Sequence, residues 1–324
     1  MCTAITLNGD GFYFGRTLDY EFSYGASITV TPRNFRFGFS SAKLDSRHYA
    51  MIGMAHIANG IPLYYEAMNE KGLGMAGLNF VDYAHYSEPR GDKINLPPHE
   101  FIPYVLGLCK DLSEARKLLT NINLIDRGFS EELPCAQLHW IIADESGALT
   151  VESTVHGFNV YENCAGVLTN NPEFPQQMLQ LNNYMNLSAK PPVNNFCSSI
   201  ELRPYSRGMG AIGLPGDLSS ESRFARAAFF KSNSVCGEGE NASVSQFFHV
   251  LGGVDTPRGC CDIGDGVYQI TRYTCCCDCT HGIYYYTTYG NHRISAVNMN
   301  RENLDGDKLK TFPQIESEQI NWQN

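Results

Sequence analysis

Apolar and polar residues alternate over short runs through much of this chain, and that alternation predicts strands more often than helices. Residues 2–7 and 12–17 are β-rich runs joined by Asn8-Gly9-Asp10-Gly11, strong turn chemistry, so they read as a hairpin. A four-residue connection places Cys2 opposite Thr17. Asp19 then shares the side-chain parity of Thr17 and approaches the start of the chain. Arg16 points to the other face unless a bulge or register shift intervenes. Residues 137–143, 148–154 and 158–162 read as a meander with Asp144-Glu-Ser-Gly147 as its first turn. Residues 283–289 and 292–299 form a second hairpin around Gly290-Asn291.

Helical periodicity interrupts the strands. Asp111-Leu-Ser-Glu114 resembles a capping box, and Leu112, Ala115, Leu118 and Leu119 give the following helix one apolar face. Residues 220–231 predict a second helix with Arg223 in its first turn, and residues 246–251 a short third. Runs of strands with occasional helices indicate an α+β fold rather than a doubly wound one. Pro191-Pro-Val-Asn-Asn195 reads as a surface loop, too short to divide the chain, so residues 1–324 form one domain.

Composition narrows the function. A formal net charge of −10 and the lack of a Lys/Arg-rich block argue against nucleic-acid binding. No apolar run approaches the roughly 20 residues that span a bilayer, so no stable membrane insertion is expected. The first residues lack a basic stretch and soon reach Asn8-Gly-Asp-Gly11, unlike a secretory signal. A cytoplasmic location follows, with the 12 cysteines mainly reduced thiols.

Cys2 is the residue with the most chemical content. A small second residue favours removal of Met1, which would put a thiol and a free α-amine on one residue. The thiolate is a strong nucleophile, and an α-amine with a pKa of about 7.7–8.0 is a usable base at neutral pH. An acyl-transfer site built on such a residue also needs a carboxylate, amide or backbone donors and cations. The chain offers Arg16 and Asp19 in Gly15-Arg-Thr-Leu-Asp19, Asn79 after Gly74-Met-Ala-Gly-Leu78, Asn170 after Gly166-Val-Leu-Thr169, and Arg223.

Taken in order, these segments resemble the choloylglycine hydrolase family of N-terminal nucleophile hydrolases, which contains bile salt hydrolases and penicillin V acylases. The resemblance is carried by Met1-Cys-Thr-Ala-Ile-Thr6, Gly15-Arg-Thr-Leu-Asp-Tyr20, Asn69-Glu-Lys-Gly-Leu-Gly-Met-Ala-Gly-Leu-Asn79, Leu138-His-Trp-Ile-Ile-Ala-Asp144, Leu168-Thr-Asn-Asn-Pro172, Gly213-Leu-Pro-Gly-Asp217, Ser222-Arg-Phe-Ala-Arg226 and Tyr284-Tyr-Tyr286. It implies a four-layer αββα sandwich of two antiparallel sheets. It also implies hydrolysis of a linear amide through a thioester at Cys2, with no metal or organic cofactor. Asp19 would hold the α-amine, and Arg16 and Arg223 would lie beside the nucleophile. Asn79 and Asn170 would place and polarise the scissile carbonyl. A homotetramer is expected on the same ground.

Asn79 and its surroundings, Ala76-Gly-Leu-Asn-Phe80, resemble the bile salt branch, where penicillin V acylases tend to carry tyrosine. The expected substrate is therefore a glycine- or taurine-conjugated bile salt, with penicillin V or another N-acyl amide as the alternative. A steroid acid needs a broad apolar wall, for which Tyr20, Phe22, Tyr24, Tyr65, Phe129 and Leu133 are candidates. A reading from a different class is a non-catalytic thiol- or metal-binding protein. It rests on Cys260, Cys261, Cys275, Cys276, Cys277 and Cys279, with His281 nearby. A second C-x-x-C is lacking and the adjacent cysteines would crowd one ion, so this reading is disfavoured.

Overall fold

The computed structural model describes residues 1–39 and 47–324. The first half contains strands β1 (Cys2–Asn8), β2 (Phe12–Tyr20), β3 (Ser27–Thr31), β4 (Met51–Ala58), β5 (Ile61–Asn69), β6 (Gly74–Asn79) and β7 (Ile94–Leu96), then helices α1 (Pro98–Leu108) and α2 (Leu112–Leu119). It continues with β8 (Ile122–Leu124), β9 (Leu138–Asp144), β10 (Gly147–Thr154), β11 (Gly157–Glu162), β12 (Val167–Leu168) and α3 (Phe174–Gln180). The remainder comprises α4 (Ser220–Asn233), α5 (Glu240–Gly252), β13 (Asp262–Gly264), β14 (Val267–Tyr268), β15 (Ile270–Asp278), β16 (Ile283–Thr288), β17 (Asn291–Asn298) and β18 (Lys310–Pro313).

Two antiparallel sheets stack face to face. One has the order β12-β1-β2-β15-β16-β17 and the other β11-β10-β9-β6-β5-β4-β3-β18. Helices α4 and α5 cover the outer face of the first, and α1 and α2 cover the outer face of the second. This is the expected αββα order. One apolar core fills the space between the sheets and under α4 and α5. A second, around Trp140, Phe101 and Leu149, lies between the eight-stranded sheet and α1 and α2. Because both faces of each sheet are covered, central strands such as β9 and β15 are buried along nearly their whole length.

The local signals explain most of these elements. Asp111 caps α2 by accepting from the Glu114 amide at 2.8 Å, and the Glu114 carboxylate reaches back to the Lys110 amide at 2.9 Å. The meander and the second hairpin lie where alternation placed them. Helix α5 begins six residues earlier than its apolar pattern indicated, at Glu240. Helix α1 was not among the anticipated elements; Pro98 sits at its first position, where the missing N–H costs nothing, and only Pro103 lies inside it.

The first hairpin forms with a different register. Asn8 belongs to β1 and pairs with Phe12, which shortens the connection to Gly9-Asp10-Gly11 and sets Cys2 opposite Leu18 rather than Thr17. A one-residue slip exchanges the faces of every side chain. Arg16 therefore shares the face of Cys2, between the sheets, and Thr17 and Asp19 face the helix layer.

Candidate active site

Cys2 opens β1 and is almost fully buried. Two guanidinium groups enclose it. Arg16 projects between the sheets, and its Nη2 donates to Cys2 Sγ. Its Nη1 donates to the carbonyls of Gly77, at 2.6 Å, and Tyr65, at 3.5 Å. Those carbonyls are available because β5–β6 pairing covers only Glu66 to Met68 against Gly74 to Ala76. Past Ala76 the two strands separate, and the Arg16 guanidinium occupies the gap.

Arg223 approaches from the other face. Ser219 caps α4 by accepting from the Ser222 amide, which fixes the first turn that carries Arg223. The Asp217 carboxylate, held at about 2 by hydrogen bonds from Ser219 and Ser222, anchors the entry to that helix. Arg223 Nη1 donates to the Cys2 carbonyl at 2.5 Å and to Thr3 Oγ1 at 2.7 Å, and Nη2 donates to Asn170 Oδ1 at 2.7 Å. Burial pulls the Arg223 guanidinium below its ordinary value, opposed by Asp19 and Cys2. Burial also pulls on Arg16, but the negative charge available at Cys2, Tyr273 and Glu66 outweighs it and the net direction is upward.

Asn170 follows β12 and joins the parts. Its Oδ1 accepts from the Cys2 nitrogen at 2.8 Å, and its Nδ2 donates to the Asn79 carbonyl at 2.8 Å. Phe80 N–H donates to the Gln137 carbonyl on the β9 side, so the Asn79 N–H points the opposite way, into the gap that holds Arg16. The Asn79 side-chain amide has no hydrogen-bond partner among the described residues. Both donors of Asn79 thus remain available.

Asp19 is buried beside Arg223, with Oδ2 at 4.0 Å from Nη1. Its oxygens accept from the hydroxyls of Thr271, at 2.7 Å, and Thr17, at 3.3 Å. With Met1 attached, the Cys2 nitrogen is a peptide N–H held by Asn170, and the Asp19 carboxylate lies next to Arg223. The Asp19 backbone instead pairs with Met1, whose nitrogen donates to the Asp19 carbonyl at 2.7 Å and to Gln269 Oε1 at 3.3 Å.

The aromatic candidates divide. Tyr20, Phe22 and Tyr24 form one cluster at the end of β2, with centroids 4.9–5.9 Å apart. Tyr65 joins Phe22 and Tyr24 along a small cleft that includes Leu18 and Tyr273. Phe129 instead packs edge-on against His99 of α1 and bonds through its backbone to Leu133. Of the clustered cysteines, Cys260 is exposed, whereas Cys275, Cys276, Cys277 and Cys279 are buried, and burial pushes the thiols of the last three well above their ordinary value. The group with metal-holding spacing among the described residues is Glu240, Asp278 and His281, and it contains no cysteine. Sequence reasoning did not single out Thr271, Glu66, Tyr273 or Gln269. A lone carboxylate inside the apolar run Tyr64-Tyr-Glu-Ala-Met68 was the one available signal.

A family profile described as linear amide C–N hydrolases, choloylglycine hydrolase family, matches residues 2–312. The chain belongs to the choloylglycine hydrolase family. Its relatives include a bile salt hydrolase/transferase from Lactiplantibacillus plantarum, 48% identical over 97% of both chains. A solved structure of a conjugated bile acid hydrolase from Clostridium perfringens superposes with a TM-score of 0.92 at 37% identity over 100% of both chains. Penicillin V acylase from Agrobacterium tumefaciens shares the fold, with a TM-score of 0.72 at 20% identity over 96% of this chain and 90% of that one. As a member of the choloylglycine hydrolase family, the chain is an amidohydrolase of linear C–N bonds, and its fold is that of the N-terminal nucleophile hydrolases.

Proposed function

We propose that this protein hydrolyses the amide bond of glycine- or taurine-conjugated bile salts, with Cys2 as nucleophile. The observation that carries this reading is the full-length similarity to proteins named for that substrate. The Arg16, Asn170 and Arg223 contacts around Cys2 support the mechanism. Met1 is removed, and the Cys2 nitrogen, already held by Asn170, becomes a free amine. Cys2 sulfur attacks the amide carbon as thiolate, and its proton passes to the α-amine. Asn79 donors take the charge that develops on the carbonyl oxygen. The C–N bond breaks as the α-ammonium protonates the departing glycine or taurine nitrogen, leaving a thioester. Water, deprotonated by the same amine, then releases the bile acid and regenerates the thiol. The scheme uses the chain's own groups and one water, and it calls on no metal or organic cofactor.

Tyr20, Phe22, Tyr24 and Tyr65 form part of the apolar wall for the steroid, and Phe129 and Leu133 contribute from the α1 side. Self-association to a homotetramer is supported by large apolar side chains exposed between residues 185 and 212, including Met185, Phe196 and Tyr205, each at least 80% exposed. No helix among the described residues is long and apolar enough to cross a membrane. We place the protein in the cytoplasm.

Intact mass and a Cys2→Ala variant test the mechanism. Loss of one methionine residue, one fast-alkylating thiol at Cys2 and a folded, inactive variant are expected. Full activity in the variant would overturn it.

A further inference from the structure

Glu66 is a carboxylate at the centre of the sandwich, fully buried. Two strand irregularities bring it there. Met54 pairs with Glu66 and Ala55 with Tyr64, so Tyr65 is an extra residue in β5, and Tyr65 and Glu66 both turn toward the six-stranded sheet. Opposite, Thr271 pairs with Asp19 and Tyr273 with Leu18, so a second bulge at Arg272 sends Thr271 to the helix face and Tyr273 between the sheets. Tyr273 and Tyr284 donate their hydroxyls to Glu66 at 2.7 and 2.6 Å. Arg16 Nε lies 3.8 Å from the same carboxylate. An apolar side chain of similar volume would fill this position at lower cost than a desolvated ion. Burial pushes the Glu66 carboxyl upward, and the Arg16 guanidinium with the hydroxyl donors of Tyr284 and Tyr273 pulls it back toward the ionised form. The geometry is that of an acceptor built to hold charge beside Arg16.

We infer that Glu66 is a positioning residue for the nucleophile, acting through Arg16 as the fixed counter-charge behind it. The inference rests on the reading of Cys2 as nucleophile and deepens it. The charge on sulfur changes during turnover, from thiolate to neutral thioester. Without Glu66, Arg16 would become an unpaired buried cation at each acylation. With Glu66, the Arg16 charge is compensated at every stage, and its hold on the thiolate is moderated, which keeps the sulfur nucleophilic. A thiolate stabilised too strongly attacks more slowly.

The test is the pH dependence of Cys2 alkylation by iodoacetamide in the purified full chain, followed at the Cys2 peptide by mass spectrometry. Removing the negative charge in Glu66→Gln leaves Arg16 to act on the sulfur alone. The half-maximal pH should fall by about one pH unit, the effect of one nearby charge. The plateau kcat/KM for glycocholate should drop about threefold, the effect of a one-unit fall in thiol pKa at a Brønsted slope of about 0.4–0.5, with KM changed less than twofold. Tyr273→Phe, which removes one donor and keeps the ring, should move the alkylation profile the same way by a smaller amount, and it carries the test if Glu66→Gln does not fold. Alkylation profiles unchanged from the parent in the folded variants would overturn the inference. The alkylation readout contains no bile salt, so it separates failure of this inference from failure of the substrate assignment.

Discussion

Asn170 Oδ1 accepts a hydrogen bond from the Cys2 nitrogen at 2.8 Å. The same oxygen accepts from Arg223, and the amide nitrogen of Asn170 donates to the Asn79 carbonyl. One side chain thus fixes the atom proposed as general base relative to both a cation and the oxyanion donors. Asn170→Ala should lower kcat about 100-fold, the low end of what a positioned acid–base group contributes, with a smaller change in KM. Steady-state kinetics with glycocholate checks this, and an unchanged kcat would remove Asn170 from the machinery.

Arg16 bridges Cys2 Sγ and the buried Glu66. Arg16→Met should raise the pH of half-maximal Cys2 alkylation, opposite to the direction expected for Glu66→Gln, because the cation nearest the sulfur is lost. It should also destabilise the fold by about 3 kcal/mol, since a buried carboxylate loses its ion-pair partner. Alkylation profiles and urea unfolding measure the two effects separately.

Much of the site was legible in the sequence, and the residues that were missed share a cause. Arg16, Asn170 and Arg223 contact Cys2 directly, while Asn79 joins them through Asn170 and Asp19 through Arg223. The facing of Arg16 was not legible, because Asn8 reads as a turn residue yet pairs with Phe12, and that one pairing sets the whole register. Glu66 and Tyr273 were not legible because each is aimed by a bulge, and a bulge is fixed by the partner strand rather than by local composition. The Asp19 contact with Arg223 depends on how α4 packs over β1, a long-range relationship that motif order alone does not carry.

Gly15 lies in β2, against β15. A methyl group there would stand 2.1 Å from the Cys275 carbonyl oxygen, a backbone atom that cannot move without parting the strands. Gly15→Ala should therefore destabilise the protein by about 3 kcal/mol, as overpacking does, read as a lower urea midpoint at unchanged slope.

His99 gives the fold an acid-side sensitivity. Burial and the neighbouring Arg127 hold its imidazole at about 4, although Glu100 lies 3.9 Å away. In the unfolded chain it titrates near 6.5. As pH falls from about 6.5 to about 4, the unfolded chain takes up the proton first and stability declines. His99→Gln should lose less Tm between pH 7 and pH 5, in the range set by these values, than the parent does. Parallel losses in the two proteins would show that His99 is not the source.

The central claim is the substrate, and the most direct test is the initial rate of amine release from glycocholate, taurocholate and penicillin V by the purified protein, side by side. Fast release of glycine or taurine with slow cleavage of penicillin V is expected, and it would support Asn79 as a discriminating residue. Fast penicillin V cleavage with slow bile salt hydrolysis would contradict the assignment while leaving the fold and the Cys2 chemistry in place.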